Sequence, residues 1–237
     1  MNSELIPQST SPDRSGFAVF AHGDAGVAHV MAHHLLDSRR YELGHRLLGA
    51  WLERHQEQGS CWTHLHWHMG VFEIALGRWD DALGRCERSI LPVASSSFDA
   101  LTDGPAMLWR LAIAAPRQVN LSWEPVRRTA ARRLRVPSDP YVELHCLLAL
   151  AGAGDLGALD RWLNARPMTE GPQARLLTRM GLGLRALAAG DDERAADVLA
   201  IAAPNVSLLG GSHAQNQLFS ALAHLSRTRA GALAQAA

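Results

Sequence analysis

From residue 22 to residue 229, short helix breakers interrupt this chain at nearly regular intervals, and apolar residues between them recur three and four positions apart. The breakers are Gly59-Ser60, Gly77, Ser95-Ser96-Ser97, Pro116, Pro137 with Pro140, Gly154, Pro167, Gly190 and Gly210-Gly211. Proline cannot donate the next hydrogen bond of a helix, and glycine reverses the chain at little steric cost. The pattern predicts helices over roughly 22–37, 40–55, 62–76, 79–90, 98–114, 122–135, 140–152, 155–165, 172–189, 191–202 and 212–229. Alternation of β-branched residues with a period of two is nearly absent, so no sheet is expected.

The helices come in pairs. Alternate ones begin about every 33–42 residues, near the periods of tetratricopeptide and HEAT-like arrays. The stretch Gly70 to Leu83 (Ala75-Leu76-Gly77-Arg78-Trp79-Asp80-Asp81-Ala82-Leu83 at its end) fits a tetratricopeptide unit. It holds one helix, a tight Gly turn, and a second helix opening on an aromatic residue and Ala-Leu. Arg185 to Ala195 repeats that logic more loosely. The expected fold is all-α, a tetratricopeptide-like helix-pair solenoid of about eleven helices. Residues 1–15 and 231–237 read as disordered tails, and 16–230 as one helical repeat domain.

Composition narrows the chemistry. The chain has 237 residues, is 47% hydrophobic and carries 23 basic against 23 acidic residues, which gives no net field for nucleic acid or an anionic membrane. Every basic side chain is arginine, so a lysine Schiff base and a Walker-type lysine are excluded. Cys61, Cys86 and Cys146 are odd in number and widely spaced, which fits a reduced cytoplasm better than a disulfide scaffold. The polar start lacks the apolar core of a signal peptide, and no run reaches the length of a membrane span. A cytoplasmic location is expected.

Two His-x-x-x-His spacings carry the strongest chemical signal: His29 with His33, and His64 with His68. On a helix, residues four apart lie on one face, so each helix presents two imidazoles among apolar neighbours. His66 points about 200° away from that face at 3.6 residues per turn. Three readings stand side by side: imidazoles hydrogen-bonded as polar core residues, a metal-free ligand or catalytic pocket, and a metal site. His-Glu-x-x-His is absent, so the zincin pattern fails. Trp62, Trp67 and Trp79 surround the second pair, as pocket walls or as core packers. Asp103, Met107 and Arg110 share a helix face, so an Asp–Arg pair is expected in the same groove; Glu143 is a further candidate acid. Gly152-Ala153-Gly154-Asp155-Leu156-Gly157 matches G-x-G-x-x-G literally, but a helix precedes it where a dinucleotide fold needs a strand, so it reads as a turn. The arginines from Arg127 to Arg135 read as a solvated face.

Five segments, in order, resemble the tetratricopeptide repeat protein 38 family. They are Val27-Ala28-His29-Val30, His64-Leu65-His66-Trp67-His68-Met69-Gly70-Val71-Phe72, Asp99 to Leu111 (ending Met107-Leu108-Trp109-Arg110-Leu111), Glu143-Leu144-His145, and Leu209-Gly210-Gly211-Ser212-His213-Ala214-Gln215. The resemblance implies a helical repeat fold and shared polar positions at His29, His64, His68, Asp103, Arg110 and His145. The chain departs from the family pattern at Ala25, Glu143 and Asn216, which stand where that pattern has His, Asp and Arg.

The expected function is a soluble repeat protein whose central pocket binds a small molecule and transforms it by acid–base chemistry. Its catalytic histidines would be His29, His64, His68 and His145, and its substrate contacts Trp67, Asp103, Arg110 and Glu143. No cofactor is expected; a metal held by His29, His64, His68 and His145 is the lesser alternative. The competing reading is a non-enzymatic scaffold that binds a peptide or protein partner. The resemblance covers only the C-terminal half of a typical member, and an uncapped repeat end needs a cover. A homo-oligomer is therefore predicted, and light scattering at micromolar concentration tests it: a monomer mass would refute self-association.

Overall fold

The computed structural model describes residues 24–55, 60–97, 101–116, 119–136, 138–165 and 171–236. All regular structure among them is helical: α1 Ala25–Asp37, α2 Tyr41–Arg54, α3 Ser60–Ala75, α4 Trp79–Arg85, α5 Leu91–Ser96, α6 Asp103–Ala114, α7 Glu124–Arg133, α8 Pro140–Gly152, α9 Leu156–Ala165, α10 Gly171–Ala188, α11 Asp192–Ala202 and α12 His213–Ala236. A π turn, Cys86–Ile90, joins α4 to α5 in one continuous rod, and a 3₁₀ turn, Ala203–Leu208, follows α11. Counting that rod once gives eleven helices among the described residues. The expected tail 1–15 lies outside the described residues.

Consecutive helices pack against one another. Helices α1 and α2 meet each other and α3; α3 meets α4 and α6; α6 meets α8; α8 meets α7, α9 and α10; and α10 meets α11. The last helix departs from that neighbour-to-neighbour order: α12 packs on α11 and returns against α6 and α1. No helix among the described residues is long and apolar enough to cross a membrane.

Two boundaries differ from the sequence pattern for identifiable reasons. The pattern predicts a helix over 79–90, yet the rod continues through Pro92 to Ser96. The Leu91 amide bonds to Cys86 O, five residues back, so the extra residue absorbs the crowding that a proline ring imposes on the preceding turn. At the other end α12 runs to Ala236 rather than 229, because the Ala, Leu and Gln residues there favour helix and a lone Gly231 does not break it.

Helix α6 sits at the seam of two apolar clusters. Met107, Leu108 and Leu111 join the cluster that α1 to α5 share with parts of α7 and α8, while Ala106 and Trp109 join the one formed mainly by α8 to α12. Indole hydrogen bonds fasten both sides: Trp79 Nε1 donates to Leu111 O at 3.0 Å, and Trp109 Nε1 donates to Leu148 O at 2.9 Å. The residues read as a site therefore gather where the two halves of the core meet. Away from it, Arg127 bonds Glu124 and Asp155 as part of a charged face, and Gly154 turns α8 into α9.

Helices α2 and α3 approach over Gly44. A Cβ there would lie 2.2 Å from the fully buried Phe72 ring. Alanine in a helix gains up to about 1 kcal/mol over glycine, but overpacking a buried ring costs about 1–3 kcal/mol. Gly44→Ala should lower the urea midpoint and the melting temperature; a stabilised variant would show that the two helices are not in this contact.

Candidate functional site

Helix α1 turns Ala28, Ala32, Leu35 and Leu36 into the core. His29 and His33 stand at the edge of that stripe, one position on from the two alanines. On α3, Leu65, Trp67, Met69 and Phe72 are buried, with His64 half-buried and His68 fully buried among them. Because α1 packs directly on α3, the two i,i+4 pairs meet. All six ring-to-ring distances among the four imidazoles fall between 4.4 and 6.4 Å. Most of these pairs are near-perpendicular, which turns ring edges inward instead of stacking faces. One nitrogen from each ring lies within 4.8 Å of the corresponding nitrogens of the others.

The hydrogen bonds set the state of the rings. His64 Nδ1 donates to Asp103 Oδ1 at 2.8 Å, because a carboxylate can only accept. That leaves the His64 Nε2 lone pair for the centre. Asp103 is itself buried and is the first residue of α6, where the exposed amides of a helix N-terminus favour a negative charge. His33 Nε2 and His29 Nε2 are 2.9 Å apart, one donating to the other. His68 has no hydrogen-bond partner on either nitrogen. A buried polar group left so costs about 1–3 kcal/mol.

Electrostatics keeps His29, His33 and His68 uncharged. Burial is the main cause in each case, followed by neighbouring imidazoles. It brings the His29 pKa down to about 4, lowers His33, and holds His68 well below the ordinary imidazole value. At neutral pH these three rings offer lone pairs, not positive charge.

The other expected residues distribute as follows. Trp67 is fully buried and stacks on His64, with ring centroids 5.4 Å apart and planes 5° apart. Arg110 lies over the Trp67 ring at 5.4 Å. Asp103 and Arg110 do not bond to each other. The two residues are seven positions apart, about 10 Å along a helix, so they share a face without touching. Asp103 turns to His64, and the Arg110 guanidinium donates to the main-chain oxygens of Ala214 and Gln215 at the start of α12. His145 is buried but outside the four-ring cluster: its Nδ1 donates to Tyr141 O at 2.8 Å and its ring meets Phe219. Burial brings its pKa down to about 4, with Asp103 acting against and Arg110 with that shift. Glu143 is buried on another side of α8, where it accepts from the Ser138 amide at 3.4 Å.

Two residues matter more here than the sequence pattern indicates. His33, supported by spacing alone, takes the place in the cluster expected for His145. Tyr141 stands one turn before His145, with its hydroxyl buried and unpartnered. Burial pushes that phenol upward, so it stays a donor. The signal for it is the loop that packs on it: Gly210 and Gly211 both have positive φ, and a Cβ on Gly211 would sit 2.5 Å from the Tyr141 ring. Ser212 and Gln215 close a reciprocal capping box, which starts α12 beside that loop.

His66 faces elsewhere, as its angle predicts. It accepts from Arg85 at 2.9 Å, and Arg85 also forms a two-pronged ion pair with Glu73. His45, His66, Glu73, Arg78 and Arg85 line a separate open cavity of about 620 Å³ that shares none of the four clustered imidazoles.

No protein-family model matches the chain, and no solved structure matches it.

Histidines held neutral in the fold bind fewer protons than in the unfolded chain, where they titrate near 6.5. Stability is therefore complete above pH 6.5 and falls as pH drops from 6.5 towards 4. Buried His145 alone accounts for up to about 3 kcal/mol across that window. Urea denaturation of protein dialysed against chelator, at pH 7 and pH 4.5, tests this. Equal midpoints at both values would contradict the neutral cluster.

Proposed function

We propose that this chain is a tetratricopeptide-type repeat protein, similar to the tetratricopeptide repeat protein 38 family, whose His29, His33, His64 and His68 hold one divalent transition-metal ion at a small-molecule pocket. The observation that carries this reading is His68: a fully buried imidazole with no partner on either nitrogen, ringed by three others. A polar core residue would be hydrogen-bonded to backbone or to an acid. Neutral imidazole suits first-row ions such as zinc, copper, nickel and iron. Two nitrogens on one tetrahedral zinc ion lie about 3.3 Å apart, so rotations of the half-buried rings would draw the set, now within 4.8 Å, to bonding distance.

Asp103 supports the same reading. A carboxylate that accepts from the far nitrogen of a ligating imidazole fixes its tautomer and raises its basicity. His29, His33 and His64 keep part of their surface exposed, so an ion there is reachable by water and by a small molecule. Four imidazoles would fill a tetrahedral shell, so water or a bound molecule would reach such an ion only as a fifth ligand. His145, outside the ligand set, stays available to orient a bound molecule.

Cobalt(II) absorption and equilibrium dialysis with zinc(II) test the proposal on the intact chain. One equivalent per chain is expected, with His68→Asn or His33→Asn abolishing it and His145→Gln leaving it unchanged. Asp103→Asn should weaken binding about 10–100-fold, the size of the effect for a carboxylate behind a ligand. Loss of binding in His145→Gln with retention in His33→Asn would overturn this ligand set, and no bound metal in the parent protein would overturn the centre itself.

A further inference from the structure

Arg110 is a partly buried cation with no acidic partner among the described residues. Its guanidinium meets only the main-chain oxygens of Ala214 and Gln215 and the face of Trp67. Its Nε is buried and unpartnered. The Tyr141 hydroxyl is likewise buried and unpartnered, and Arg110 acts on it electrostatically. Both orphaned atoms are donors that no acceptor engages. The Gly210-Gly211 backbone packs directly on the Tyr141 ring and hydroxyl, too close for any Cβ at Gly211.

The electrostatics of the neighbourhood point the same way. Arg110 and the four-histidine centre are joined through Trp67, whose ring stacks on His64 and meets His68 at 5.1 Å. Asp103 is the one acid bonded to any of these groups among the described residues, and His64 already engages it. A divalent ion on neutral imidazoles beside an arginine leaves an excess of two positive charges over that carboxylate. In a partly dry site such an excess calls for an anion.

We infer that Arg110 and Tyr141 form an oxyanion subsite next to the histidine centre, and that the pocket takes a small molecule bearing a carboxylate or phosphate group. The inference rests on the metal-centre reading for its position, but its donors stand independently of it. A guanidinium offers two parallel N–H groups to a carboxylate or phosphate, and a phenol adds a third donor. Asp103 is kept from competing for Arg110 by the separation along α6 and by its bond to His64.

The test is ligand-observed NMR with two probes, acetate and inorganic phosphate, each titrated into cobalt-loaded and metal-free protein. Saturable relaxation enhancement of the probe is expected in the cobalt form, and saturable line broadening in the metal-free form. Arg110→Gln should weaken both about tenfold or more, the size of a charge-assisted hydrogen bond, and leave the cobalt absorption unchanged. Tyr141→Phe, which removes only the hydroxyl, should weaken them less and serves if Arg110→Gln does not fold. Preference between acetate and phosphate identifies the group. If cobalt does not bind, Arg110-dependent broadening in the metal-free protein still supports the subsite while the metal reading fails. Probe binding that is absent from the parent, or equal in parent and variants, overturns the subsite.

Discussion

A single hydrogen bond, from His64 Nδ1 to the buried carboxylate of Asp103, joins helix α3 to the first residue of α6 and decides what the surrounding groups can do. It fixes which nitrogen of His64 faces the other imidazoles. It also occupies the only carboxylate bonded to the cluster among the described residues, so the remaining rings find no acid and His68 keeps both nitrogens unpartnered. Arg110, seven residues further along α6, lies too far from Asp103 to bond it and rests on the Ala214 and Gln215 carbonyls instead. Burial then completes the arrangement by holding His29, His33 and His68 neutral at close quarters.

Much of the architecture was legible from punctuation. Helix α8 matches its sequence-derived limits, and most others agree within three residues, because Gly and Pro mark real chain reversals here. The π turn was not legible: Pro92 says that a regular helix cannot continue, but not that one inserted residue lets it pass. The return of α12 onto α1 and α6 was not legible either, since an apolar face does not name the face it meets.

The site was half legible for a similar reason. The i,i+4 rule makes His29 with His33 and His64 with His68 neighbours on their own helices, and that local rule held. Which pairs converge depends on helix packing, and α1 on α3 brought His33 inward while the backbone of its own helix claimed the Nδ1 of His145. Asp103 and Arg110 share a face as expected, but a shared face seven residues apart leaves them too far apart to bond. Tyr141 carried no motif of its own; only its contact with the Gly210-Gly211 loop marks it out.

Groups that complete this centre come from far apart in the chain. Residue 29 opens the cluster, while Arg110 is held by the carbonyls of residues 214 and 215 and His145 rests on Phe219. On a ribosome, the first two helix pairs emerge long before α12, and domains assemble as the chain is released. The imidazoles would meet early, but the wall that positions Arg110 and Tyr141 would arrive only with α12. The histidine cluster and the surroundings of Arg110 would then form at different moments of synthesis.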